Sequence, residues 1–488
     1  MNTTKFFLAT MAIIIITVAC TSNHSSNTSA PVSSVSLTVI DEPGYHIPTD
    51  FTGISFEANS ILPGHRGVDG YLFRQSNKQL VQLFQSSGIR NLRFGGCTVD
   101  MSHFHHAAYD RAAIDSVFAF AKAVGIKVTY SLPLLNANAE DNAVTALYIW
   151  TNYKDDLDSF SIGNEPNGTQ YREDTIAAIH SYEKYFQIWN TLAEAIIQVV
   201  PEVKFNGPDS GGSKYTEEFA RDVKDSNRVL YITHHQYPNS RPFLEDGVTR
   251  ISAEMAIDKM LSPDRLTGVY TKLHDLTCAK VYPFGFRCRM TESNDFLGGV
   301  DGASNAMSSA LWALDYMHWQ AFRGLAGINF HNNQWLKTCT VTMDSTGAYI
   351  ANPKAHAIRA FDIVTGGNTL PVDLSNPGQI NLTAYATKCD DYLYVTIINK
   401  EHGQEASQAE VTISAKGIAK GKAEAMFLSA RGNDAGAMTG ITLGGDSITN
   451  HRPWQGKWSP VKKKSGGEYY LKVSKSTAVV VKIPVIKG

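Results

Sequence analysis

The chain has 488 residues, of which 43% are hydrophobic and 18% charged, and its 44 Lys and Arg against 46 Asp and Glu leave a formal net charge of −2. A near-neutral chain with 10% aromatic residues can bury a large core, which excludes intrinsic disorder and a polybasic binder of nucleic acid or anionic membranes. The length suits either about three average domains or one α/β barrel of roughly 250 residues with a smaller companion.

At the N-terminus, Lys5 precedes an apolar stretch, residues 6–19, that ends at Cys20 before the polar run 21–29. The stretch is too short for a stable bilayer-spanning helix and has the layout of a secretory signal, so residues 1–19 are expected to be removed. The end of that stretch, Thr17-Val18-Ala19-Cys20, resembles a bacterial lipobox, which would place a lipid on Cys20 and hold the protein on a membrane facing the periplasm or cell surface. Ordinary cleavage near Ala19, giving a soluble periplasmic or secreted protein, is the alternative. Residues 20–34, rich in Ser, Asn and Thr, then form a tether.

From about residue 50, short β-rich runs alternate with helical patterns. Strands are predicted at 53–58, 89–94, 126–131, 159–163, 203–206, 229–235, 286–291 and 325–330, with helices at 76–87, 111–124, 140–153, 178–199, 214–225, 252–275 and 304–323. Eight such units point to a closed (β/α)8 TIM barrel over 35–340. A doubly wound sheet is the competitor, but no Gly-rich phosphate loop follows any strand. After about residue 340 the pattern becomes short alternating runs at 380–386, 391–399, 409–414, 423–428 and 476–484, read as a C-terminal antiparallel β-sandwich over 341–488, to which residues 34–41 can add a strand.

Beyond Cys20 the cysteines are Cys97, Cys278, Cys288, Cys339 and Cys389, with no CxxC pair and no His spacing suited to zinc, so neither a metal nor another cofactor is expected. Cys278 and Cys288 flank a Pro-Gly turn and are read either as a disulfide or as two buried thiols.

In a barrel, chemistry belongs at the C-terminal ends of the strands. The fourth strand ends in Gly163-Asn164-Glu165-Pro166 and the seventh in Met290-Thr291-Glu292-Ser293, so topology brings together two carboxylates far apart in sequence. Such a pair is what glycosidic cleavage requires: a neutral acid to protonate the leaving oxygen and an anion to attack the oxocarbenium-like centre. Glu165, held extended by Pro166, is read as acid/base, and Glu292 as the anion, its pKa kept low by Arg93 and Tyr237. Glu57, at the end of the first strand, is a third inward acid suited to sugar hydroxyls. Of His234 and His235, neighbours on a strand, only one can face the pocket. Trp335, beyond the eighth strand, is a candidate sugar platform.

These residues resemble glycoside hydrolase family 79, the microbial β-glucuronidases and relatives of heparanase, among the clan A retaining glycosidases. The likeness is carried by Asn164-Glu165-Pro166 and by Thr291–Asn294, Gly298–Asp301, Ser308–Tyr316 and Gly327–His331, with Ser55-Phe56-Glu57, Leu92–Gly96 and His234–Pro238 fitting more loosely. The resemblance implies a retaining, exo-type double displacement on a β-glucuronide or a uronic-acid-containing glycan. In it Glu165 is acid/base, Glu292 nucleophile, Asn164 a neighbour of the sugar 2-hydroxyl, and Tyr237 the group that orients the nucleophile. Glu57, Arg93, His235, Gly299, His331 and Trp335 complete the implied substrate site. The family usually carries Tyr five positions after the nucleophile, where this chain has Leu297, and more often Asn where it has Cys97. Half the usual grip on a uronate carboxylate is thus missing, and the alternatives are a neutral β-glycoside on the same scaffold or an inactive carbohydrate-binding lipoprotein.

Overall fold

The computed structural model describes residues 31–168, 181–332 and 336–486. Eight parallel strands close into a barrel in chain order: β2 (Thr52–Glu57), β3 (Asn91–Gly95), β4 (Lys127–Leu132), β5 (Leu157–Ile162), β6 (Phe205–Gly211), β7 (Val229–Gln236), β8 (Cys288–Ser293) and β9 (Ile328–His331), preceded by β1 (Val32–Val39). β3 and β8 are buried at every residue, because one face packs on helices and the other fills the barrel. The expected TIM barrel is therefore present, and all eight predicted strands overlap observed ones.

Helices α1 (Lys78–Ser87), α2 (Arg111–Val124), α3 (Ala139–Tyr153), α4 (Tyr182–Val199), α5 (Thr216–Val223), α6 (Ala253–Leu261), α7 (Met307–Ala321) and α8 (Pro353–Asp362) surround it. Local chemistry sets their ends. Asn77, Asp110, Asn138, Ser181 and Ser252 accept a backbone N–H at the starts of α1, α2, α3, α4 and α6. The predicted helix 252–275 is divided: α6 stops at Leu261, before Ser262-Pro263, where proline offers no N–H, and Arg265–Tyr270 continues as a π-helical segment.

One correction concerns where the barrel ends. Residues 341–362, expected in the sandwich, instead form a hairpin (Val341–Met343 with Tyr349–Ala351) and α8, which starts with Pro353 at its first turn. The hairpin and α8 complete the outer ring: Phe361 packs against Phe51 with ring centres 4.8 Å apart and planes tilted by 36°, and Asp362 pairs with Arg90 at 2.8 Å. The sandwich proper follows from Asn368. Its larger sheet carries Leu382–Lys388, Tyr392–Asn399, Thr477–Pro484 and Glu424–Ser429, all antiparallel, while β1 joins the smaller sheet between Val372–Ser375 and Gln408–Ser414, running parallel to the latter.

α7 has no exposed face, since it lies between barrel and sandwich. Its one carboxylate there, Asp315, is fully engaged: Thr383 and Tyr385 donate to Oδ1 at 2.7 Å each and Lys400 Nζ lies 2.6 Å from Oδ2. No described helix is long and apolar enough to cross a membrane. The expected signal segment, Cys20 and Trp335 lie outside the described residues.

Candidate active site

The C-terminal ends of the barrel strands converge on a cavity of about 740 Å³ lined by Glu57, Cys97, Glu165, Tyr237, Glu292 and His331 among others. Arg93, on β3 and wholly buried, is the hub beneath it. Its Nη1 donates to Glu292 Oε2 and Ser55 Oγ, both at 3.2 Å, and its Nη2 to Asn164 Oδ1 at 2.8 Å and Asp209 Oδ2 at 3.0 Å. One planar cation thus fixes four side chains, from β2, β6, β8 and the β5 end, at once, one more than the three N–H groups of an ammonium could serve.

Glu292, at the end of β8, is buried, and Tyr237 donates to its Oε1 at 2.6 Å. Burial alone would push its carboxyl up, but His331 and His235 at 3.7 Å each, Arg93 and the Tyr237 hydroxyl outweigh burial and hold it at about 2. Tyr237 stays a donor, because burial and the Glu292 charge push its phenol well up.

Glu165 follows β5 with φ of +44°, in the left-handed region and not in the extended conformation expected before Pro166. A tight turn overrides the proline's preference: Glu165 N–H donates to Asp209 O at 2.8 Å and its carbonyl accepts from Gly168 at 2.7 Å. Asp209 itself has φ of +54°. Two non-glycine residues in this region, each costing on the order of 1–3 kcal/mol, sit on the two chains that aim these carboxyl groups. A carboxylate oxygen of Glu165, one of Glu292 and a nitrogen of His235 all lie within 4.8 Å of one another.

His235, not His234, is the inward member of the pair. Its Nδ1 lies 2.9 Å from Glu165 Oε1, and Nε2 is 3.8 Å from Asp209 Oδ1, beyond hydrogen-bond reach but close enough for ionic attraction. Burial disfavours its charge, yet Glu292, Asp209 and Glu165 together raise it to about 9, so it is an imidazolium at neutral pH. A metal at this cluster would have to displace that proton and compete with Arg93 for Glu292. Folding therefore tightens proton binding relative to an ordinary imidazole near pH ~6.5, adding stability on the order of 3 kcal/mol that is whole below that pH and is lost as pH rises through about 9. Thermal melting of the parent chain should fall between roughly pH 6.5 and 10, and His235→Asn, less stable at neutral pH, should lose that part of the fall; an identical slope in both would assign it elsewhere.

Glu57 lines the cavity with its Oε2 already accepting from Thr98 N–H at 3.0 Å and Thr98 Oγ1 at 2.8 Å, and His331 Nε2 is 3.6 Å from Oε1. Gly96 beside it has no room for a Cβ, which would sit 2.5 Å from that carboxylate. Gly299 does not line the cavity. It packs on Thr338, its carbonyl accepts from Arg250 at 2.8 Å, and the wall there is Leu297 and Gly298. Cys97 does line it, as a thiol pushed up to about 12 by burial and the surrounding carboxylates.

Sequence reasoning missed Asp209, Asp100, Lys214 and Arg241. Asp209 was hidden because the strand was expected only over 203–206, whereas it runs through Gly207-Pro208 to Gly211. Asp100 bonds the backbone N–H groups of Leu134, Leu135 and Asn164 at 2.7, 3.0 and 2.9 Å, fastening the β4 and β5 ends together, and lies in a loop with no motif to mark it. Lys214 and Arg241 are exposed cavity-lining cations with no ion pair among the described residues.

No protein-family model matches the chain, and no curated protein matches it. Similar solved structures include a 4-O-α-L-rhamnosyl-β-D-glucuronidase from Fusarium oxysporum, 18% identical with a TM-score of 0.67 over 91% of this chain and 99% of that one. A family 51 arabinofuranosidase from Xanthomonas axonopodis pv. citri is 16% identical, with a TM-score of 0.67 over 92% and 100%. A monomeric β-xylosidase from Caulobacter crescentus is 16% identical, with a TM-score of 0.60 over 94% and 100%. The likeness establishes a shared fold of barrel and sandwich.

Proposed function

We propose that the chain is a glycoside hydrolase: a retaining, exo-type β-glycosidase that acts on β-glucuronides or uronic-acid-containing glycans, of the kind found in glycoside hydrolase family 79. The observation that carries this reading is the approach of the Glu165 and Glu292 carboxylates to within 4.8 Å. Retaining enzymes hold their two carboxyl groups about 5–5.5 Å apart, whereas inverting ones need roughly 6.5–9.5 Å to seat a water.

The roles follow from the surroundings. Glu292, ionised and oriented by Tyr237 and Arg93, attacks the anomeric carbon as Glu165 protonates the departing oxygen. Glu165 then takes a proton from the water that hydrolyses the glycosyl-enzyme. Asn164 is anchored through Oδ1 to Arg93, and its buried Nδ2, unpartnered among the described side chains, is the donor nearest in kind to what a sugar 2-hydroxyl needs. The barrel neighbours whose own names specify a glucuronide, an arabinofuranoside and a xyloside support a glycosidase in general.

Lys214 and Arg241 support an acidic sugar: they are the cations on the cavity wall, and they offer a carboxylate what Leu297 cannot. Leu297, 43% exposed on that same wall, favours the second reading, a neutral β-glycoside. Turnover of aryl β-glucuronide against aryl β-glucoside decides between them; glucoside turnover alone would end the uronate reading. If the uronate reading holds, Lys214→Gln/Arg241→Gln should raise KM for the glucuronide by about tenfold at low salt and leave the glucoside's KM in place, an effect that fades as salt screens the pair. The N-terminal segment adds the proposal that the enzyme is an exported lipoprotein anchored through Cys20, which labelling with a radioactive fatty acid in Cys20→Ala and parent cells would test.

A further inference from the structure

Behind the active site, on the opposite face of β7 and β8, lies a second cluster that the hydrolase chemistry does not use. His234 points outward where His235 points in, and one of its imidazole nitrogens, Cys278 Sγ and Cys288 Sγ lie within 4.8 Å of one another. All three residues are buried, both thiols are free, and the His234 Nδ1 is buried with no hydrogen-bond partner among the described residues. A buried polar nitrogen left unpaired is costly unless something else satisfies it.

We infer that His234, Cys278 and Cys288 form a binding site for a soft divalent cation of the zinc type. Three donor atoms within 4.8 Å of one another can share a centre no more than about 2.8 Å from each, so contraction by at most about 0.5–0.8 Å reaches the Zn–S distance of ~2.3 Å and the Zn–N distance of ~2.0–2.1 Å. Charge selects the ion. The metal takes up two thiolates and a neutral imidazole while two protons leave, so a divalent ion leaves the buried site neutral, and a monovalent one would leave a net negative charge in an apolar wall. Burial pushes the Cys288 thiol well up, and it holds His234 down at about 3, as the neutral ring a metal requires. Thiolate and imidazole donors also select zinc over magnesium or calcium.

The donors come from β7, from the short helix Cys278–Val281 and from β8, so no sequence spacing announces them. An ion there would clamp the two strands whose ends carry His235 and Tyr237 on one side and Glu292 on the other. It would be structural, set apart from the sugar cavity, whose own Glu165–His235–Glu292 cluster contains no sulfur.

The test titrates the full-length protein, reduced and stripped with a chelator, with Co2+ and then Zn2+. One equivalent of Co2+ should give a sulfur-to-cobalt charge-transfer band, and one equivalent of Zn2+ should abolish it. Glu165→Gln should bind unchanged, which separates this site from the cavity. Cys278→Ser/Cys288→Ser should lose the charge-transfer band and bind Zn2+ roughly 100-fold more weakly or worse. If that variant does not fold, His234→Gln, which keeps both thiols, should weaken Co2+ about tenfold or more. No charge-transfer band in the reduced parent, a band that survives in the double variant, or a Cys278–Cys288 disulfide in the protein as isolated would each overturn the inference. None of these results depends on glycosidase activity.

Discussion

Replacing Glu292 with glycine should lower kcat/KM on an activated aryl glycoside by roughly 10⁵-fold, or about 7 kcal/mol of transition-state stabilisation. The size follows from the role proposed for that carboxylate, attack on the anomeric carbon, for which four neighbours hold it anionic against its burial. Its removal takes away the covalent route itself. The variant also carries its own diagnosis. In azide, the small cavity opened by Glu292→Gly admits the anion on the face that the carboxylate occupied, and the product should be the α-glycosyl azide. Glu165→Ala should behave differently, since it loses much less with an activated leaving group that needs no proton, and azide should then intercept the glycosyl-enzyme to give the β-azide. Exchanged outcomes would reverse the two roles. Full activity in Glu292→Gly would remove the hydrolase reading altogether.

Much of this arrangement was legible in the chain because the barrel is built from local repeats. Each β-rich run and crossover helix reports on itself, and strand order in a closed barrel then places Glu165 and Glu292 at one mouth without any contact having to be guessed. What stayed hidden was what depends on backbone detail. Asp209 lies after a Gly-Pro that normally ends a strand, and Glu165 adopts a left-handed conformation that its proline argues against. Both departures occur where β5 and β6 are joined by the Glu165–Asp209 backbone bond, a tertiary contact that outweighs local preference. The helix Pro353–Asp362 was missed for another reason: the short hairpin before it reads as sandwich, and a helix buried among barrel, α7 and sandwich has no clean polar face. Cavity cations such as Lys214 and Arg241 are ordinary surface residues in sequence, and only the fold shows which cleft they border.

Arg93→Met should destabilise the protein by about 3–5 kcal/mol, visible as a large fall in melting temperature, and should lower kcat by roughly 10²–10³-fold at temperatures where it stays folded. Arg93, expected in the substrate site, is wholly buried beneath the cavity and does not line it, so in the proposed mechanism it positions Asn164 and Glu292. Methionine fills most of the space, so the loss arises less from packing than from the buried Asp209 and Glu292 carboxylates left without their cation. That origin makes the deficit pH-dependent. Asp209 is held far below the usual carboxylate range by Arg93 and His235 against its burial, and without the arginine it can take up a proton at milder acidity. Stability in Arg93→Met should therefore recover relative to the parent as pH falls from 7 toward about 4, whereas the parent weakens as Glu292 approaches its own pKa near 2. A second substitution sharpens the argument. Arg93→Met/Asp209→Asn removes cation and anion together, and it should be more stable than Arg93→Met alone by about 1 kcal/mol or more, although Asp209→Asn by itself destabilises. Its activity should not return, because Asn164 and Glu292 have still lost the fork that aligned them. If the double variant were as unstable as the sum of the two single ones, Arg93 would be acting by shape alone, and the charge balance assigned to the barrel floor would have to be abandoned.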